Sequence, residues 1–179
     1  MLIRDVIGFV LGNIQVPLAA VALFTTASKL RRASARHEIV TWSYVLWGEA
    51  LFYCVGLGFV YTWYFHAFQS RYTAAFIGWQ PSPFEWELAW AELGIATVAL
   101  LGLWRGYEMR LSATLAYAML SFGAAAQHIH LIAVAHNYAP GNAGIVLWFG
   151  DIALPFALLL LALASQDAYE RTALRRTRI

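Results

Sequence analysis

Five stretches of this chain run for about twenty residues or more with very little charge: residues 6–27, 39–65, 84–104, 111–135 and 143–165. At a rise of about 1.5 Å per residue, twenty residues of helix match the roughly 30 Å hydrocarbon core of a bilayer. Hydrocarbon offers no hydrogen bonds to the backbone, so such segments must be helical or belong to a closed barrel. Stretches this long and unbroken read as helices. The expectation is an all-α integral membrane bundle of five transmembrane helices, one domain over residues 1–179. Composition agrees. Of 179 residues, 61% are apolar and only 12% charged, against about 45–50% and about 25% in soluble domains. That excludes a water-soluble globule. Eight Trp suit a protein with two lipid–water interfaces to line. Cys54 is the single cysteine, which excludes an intramolecular disulfide.

The connections orient the bundle. Lys29, Arg31, Arg32 and Arg36 lie in the basic connection 28–38, Arg105 and Arg110 in a short charged turn, and Arg171, Arg175, Arg176 and Arg178 in the tail. Only Arg4 and Arg71 fall on the other face. The positive-inside rule then puts the N-terminus outside and the C-terminus in the cytoplasm, as a multi-pass protein of the inner (plasma) membrane. The first stretch reads as a retained anchor, since a basic cluster follows it and Asp5 precedes it. Basic residues confined to short clusters beside apolar runs give no support to a nucleic-acid partner. The expected partner is the lipid bilayer, with an apolar small molecule or lipid, or a second copy of the chain, as further candidates. The longest connection, 66–83, carries Trp79, Pro81 and Pro83 and reads as an interfacial loop.

Ionisable groups at membrane depth cost about 2.5–3.5 kcal/mol each on insertion scales. Some have a structural reason. Ser82-Pro83-Phe84-Glu85 reads as a capping box, in which Glu85 reaches back to the Ser82 backbone. His37, His66 and His136 sit in or beside connections and read as interfacial. The others share a level. Counting along each helix puts Glu92 roughly 15 Å, Asp151 about 13 Å, and His128 and Asn13 about 12 Å below the outer surface. Asp151 is counted from Asn142 as the helix cap, and Glu49 comes from the inner face to about the midplane. The reading is that Glu49, Glu92, His128 and Asp151 converge as one metal-ligating or proton-handling pocket. Asn13, Gln127, His130 and Trp148 then stand at its edge. His128 is taken as the inward member of its group because Ala124 and Ala125 share its face. Pro17 and Pro155 each follow a cluster member by four residues, which would free the carbonyls of Asn13 and Asp151 as further oxygen ligands.

Ser82-Pro83-Phe84 with Glu87, then His128, then Asn137, Gly141, Asn142 and Gly144 ahead of Asp151 and Pro155, stand in an ordered set. It resembles a family of small uncharacterised prokaryotic membrane proteins over roughly residues 80–155. The resemblance implies a helical bundle and transfers no activity.

Carboxylates with one imidazole suit Zn, Mn or Fe(II) better than Cu(I). Like charges at close range cannot all ionise in a dry medium without a compensating cation. The first functional expectation is therefore a protein that binds or transports a divalent metal ion or protons. The alternatives are an intramembrane acid–base enzyme on a lipid-soluble substrate, with Trp47, Tyr53, Trp90 and Trp148 lining its slot, and an accessory subunit of a membrane complex. Polar residues that only hold helices together are the remaining reading. No HExxH, Gly-x-Ser-x-Gly, Cys-x-x-Cys or glycine-rich phosphate loop occurs. A reporter fused after Ile179 is expected to read cytoplasm and one inserted within residues 71–79 to read the outside; the reverse at both sites would overturn the orientation.

Overall fold

The computed structural model describes residues 9, 10 and 12–176, with the side chains of 167, 168 and 170–176 outside the description. The start of the expected 6–27 span, Arg4, Arg178 and the side chains of Arg171, Arg175 and Arg176 thus lie outside the described residues. The elements run α1 (Gln15–Ala35), α2 (Trp42–Phe68), α3 (Ser70–Ile77), α4 (Phe84–Arg105), α5 (Tyr107–Ala135), α6 (Pro140–Ala143) and α7. The last opens as a π-helix over Val146–Ala153 and continues as an α-helix over Leu154–Arg176. Described residues form no strand.

Four segments are long and apolar enough to cross a membrane: Trp42–Phe68, Phe84–Arg105, Tyr107–Ala135 and Pro140–Gln166, of 22 to 29 residues. α1 has 21 residues, but its last third carries Lys29, Arg31 and Arg32 and it does not join the four. Three connections differ from expectation. The basic segment 28–38 is not a loop, since α1 runs on to Ala35. The turn 105–110 shrinks to Gly106, whose φ of 88° lets α5 start at Tyr107. The 66–83 segment contains α3, which packs on the end of α2 and on α6 and ends at Gly78 with φ 77°.

Trp47, Leu51 and Val55 of α2 pack in the centre against Ala96 and Ala99 of α4, Tyr117 of α5 and Leu158 of α7. The facing alanines let large side chains interdigitate, and van der Waals packing of this kind is what holds helices together in lipid. The Trp47 indole N–H would be stranded there without a partner, and it donates to Thr114 Oγ1 at 2.9 Å. Pro155 has no N–H for a carbonyl one turn back. The wider π register of α7 brings Gly150 O to the Tyr117 hydroxyl, which donates to it at 2.7 Å. The carbonyl served by a side chain is therefore that of Gly150. Near Pro17, Asn13 O accepts the Val16 N–H at 3.0 Å, so it is not the spare ligand expected.

The basic end of the bundle is stapled by charge. Arg110 is buried, not part of an exposed turn: Nε donates to Gly102 O at 2.9 Å, Nη1 to Tyr44 O at 2.8 Å, and the guanidinium lies 4.1 Å from the Tyr44 ring centroid. Gly48 makes room for it, since a Cβ there would stand 2.8 Å from Nη1. Gly48→Ala is expected to destabilise by about 1–3 kcal/mol through overpacking. Gly123→Ala, where a Cβ would meet nothing within 4 Å, should be neutral or mildly stabilising. Melting curves in detergent check both.

Candidate functional site

At the opposite end, where α2 and α5 finish and α4 and α7 begin, the helices enclose a cavity of about 220 Å³. α3 and the connection after it contribute Tyr72, Phe76 and Trp79 to its wall, so the supposed interfacial loop covers the cavity. The wall is mostly aromatic and aliphatic, and two carboxyl–histidine pairs are set into it.

The first pair joins neighbouring antiparallel helices. His66 Nδ1 of α2 and Glu92 Oε2 of α4 are 2.8 Å apart, and both side chains are about nine-tenths buried. The second joins α5 to the π turn of α7: His128 Nε2 lies 3.7 Å from Asp151 Oδ2, just beyond a direct hydrogen bond. Asn142 sets the state of this imidazole. Its Nδ2 donates to His128 O at 3.2 Å and to Asn137 O at 2.9 Å, so its Oδ1, 2.7 Å from His128 Nδ1, can only accept. The network thereby assigns the proton to Nδ1, and the Nε2 lone pair of a neutral His128 faces Asp151. Trp79 flanks the ring at 5.8 Å between centroids.

Three buried polar atoms of wall residues lack a hydrogen-bond partner: Glu85 Oε2, Asp151 Oδ2 and Trp79 Nε1. The Glu85 carboxyl does bond back to the Ser82 backbone, as the capping-box reading expects, while its Oε2 stays without a partner. Pro83 occupies the N-cap with no side-chain cap, and Glu85 turns into the cavity. Asn142 is no exposed cap. It is fully buried beneath His128.

Of the residues expected to converge, Glu92, His128, Asp151 and Asn13 line the cavity. Glu49 does not. It lies toward the basic end, where Lys29 Nζ donates to its Oε1 at 2.5 Å. Among the described residues no three His, Cys, Asp or Glu side chains are grouped closely enough to hold one metal ion. Gln127, His130 and Trp148 point outward and are exposed, because the 100° step per residue carries them off the face of their inward neighbours. Trp47, Tyr53 and Trp90 are also absent from the wall, where Phe59, Tyr61, Phe65 and Phe149 stand instead. Asn13 faces the space while its Nδ2 donates to Phe9 O at 2.9 Å.

Sequence reasoning passed over His66 and Glu85. The usable signal for His66 was its place near the end of an antiparallel neighbour of α4. Glu85 had a local explanation that removed it from consideration.

Fold and site together define the class: an all-helical protein, four of whose helices can cross a membrane, with titratable groups set in a mainly apolar cavity. The chain belongs to a family of unknown function (DUF6790), which it matches over residues 12–171. No curated protein and no solved structure matches it.

Asn142→Ala removes both donors and the acceptor beneath His128. Each buried partner left unpaired costs about 1–3 kcal/mol, so a marked fall in the detergent melting temperature is expected. A change at His130, exposed two residues further along α5, should leave it unmoved.

Proposed function

We propose that this chain is a five-span protein of the inner (plasma) membrane, N-terminus outside. In this reading it binds a lipid-soluble molecule in the cavity and exchanges a proton with it through the carboxyl–histidine pairs. The observation that carries the reading is one mostly apolar space holding both pairs, with the Nε2 lone pair of His128 left free. Lipid-soluble ligands are bound by concave apolar walls with few polar groups, which orient them. A ligand O–H or N–H placed at His128 gives its proton to Nε2. The imidazolium so formed keeps its Nδ1–H on Asn142 and is balanced by the Asp151 carboxylate 3.7 Å away. Glu92 and His66 supply a second proton-holding pair on the facing wall. The expected divalent-metal reading has less support, because its four ligands are divided between the cavity and the Lys29 pair.

The test uses full-length protein purified in detergent. Its organic extract is examined by mass spectrometry, and its metal content is measured. A small apolar molecule should co-purify with wild type and with Glu49→Gln, and be depleted at least tenfold in His128→Ala and Asp151→Asn. The tenfold figure corresponds to one lost hydrogen bond of about 1.4 kcal/mol. Stoichiometric metal that disappears in Glu92→Gln would overturn the reading in favour of a metal site. Equal ligand content in all variants would overturn it too.

A further inference from the structure

The charges on the cavity wall select among lipid-soluble ligands. Three carboxyl groups line it, those of Glu85, Glu92 and Asp151, and no Lys or Arg does among the described residues. Lys29 is committed to Glu49 and Arg110 to the carbonyls of Gly102 and Tyr44, both at the other end of the bundle. The only basic wall groups are His66 and His128, and each already has a partner at Nδ1. Glu85 is left over. It is 6% exposed, lines the cavity, and its Oε2 has no hydrogen-bond partner. Of the three unpartnered polar atoms on the wall, two are carboxyl oxygens, Glu85 Oε2 and Asp151 Oδ2. A buried carboxyl oxygen without a donor is costly. Phe65, Tyr72, Trp79 and Phe84 line the same space, and aromatic faces attract cations.

We propose that the ligand of this cavity is a lipophilic amine, whose ammonium group is held by Glu85 among aromatic rings and whose hydrocarbon tail fills the apolar remainder. The proposal rests on the ligand-binding reading above and names its substrate class. An alkylammonium supplies the N–H donors and the positive charge that the wall lacks, and keeps its proton in doing so. Size agrees. A cavity of about 150 Å³ accommodates benzene, with its six heavy atoms, so 220 Å³ corresponds in proportion to about nine, the heavy-atom count of octylamine. A phosphate-bearing amine headgroup fits less well, because no wall cation would meet the phosphate.

The experiment is calorimetric titration of the full chain in phosphatidylcholine nanodiscs, with empty nanodiscs subtracted. The probes are octylamine, octanol and octanoate at neutral pH. Octylamine is expected to bind at least about tenfold more tightly than octanol, because only the ammonium sets a full positive charge against the carboxylate. Octanoate should bind weakest. Glu85→Gln, which keeps shape, should bring octylamine to within about threefold of octanol while leaving octanol and the melting temperature unchanged. Adding phosphatidylethanolamine to the nanodiscs should not weaken octylamine. Equal binding of amine and alcohol, or an unaffected Glu85→Gln, would overturn the amine assignment and leave the ligand-binding reading standing. So would displacement by the ethanolamine lipid, which would assign the site to a headgroup. Binding of none of the three probes would overturn both.

Discussion

Side chains on helices as apolar as these have few partners except one another. A hydrocarbon surround gives no hydrogen bond to a stranded N–H or carbonyl, and the interior shows how tightly that demand is met. The Trp47 indole N–H is held by Thr114, the Gly150 carbonyl by Tyr117, and the Arg110 guanidinium by two carbonyls and a tyrosine ring. Asn142 alone serves His128 and two backbone carbonyls. Against that background the exceptions carry information. Of five buried side-chain atoms without a partner among the described residues, three belong to residues of the one cavity. Polar groups without a protein partner that face one space are what support the proposed ligand.

The two ends of the bundle divide the work. At the basic end, Lys29 with Glu49 and Arg110 with Gly48, Gly102 and Tyr44 tie helices together. At the other end carboxyl and histidine side chains stand around a cavity, and α3 closes over it with Phe76 packed where Gly12 and Gly141 lack side chains. Glu49 stands opposite a fixed cation, Lys29, whereas Glu85 faces the cavity and bonds back to the Ser82 backbone.

Depth counted from helix ends finds Glu92, His128 and Asp151 on the cavity and misplaces His66 and Glu49. Such a count assumes that all helices begin at one level. His66 lies two residues, about 3 Å, from the end of α2, while Glu92 lies eight residues, about 12 Å, into α4. Their side chains nonetheless touch, so α4 begins about 9 Å beyond the end of α2, and α3 fills that step. This offset brought in His66, which had seemed too shallow. It left Glu49 out for the opposite reason: α2 starts only at Trp42, and α1 stays helical far enough to deliver Lys29. His128, Asp151 and Glu92 were legible because each is an ionisable group deep in a long apolar run, a cost that needs a cause whatever the neighbours are.

What the sequence determined by itself is what depends on local composition and period. It specified an all-helical chain, five long apolar stretches of which four are helices close to the expected limits, the segregation of basic residues, and a set of ionisable groups within apolar runs that needed explanation. Each follows from the solvation of one segment at a time. Only the tertiary structure decided which of those groups face each other. That depends on helix rotation, in steps of 100° per residue, and on axial offset, and both are set by side-chain packing between segments far apart in the chain. Hence Glu49 meets Lys29, Glu92 meets His66, Asn142 sets the imidazole of His128, and Glu85 is turned toward the cavity.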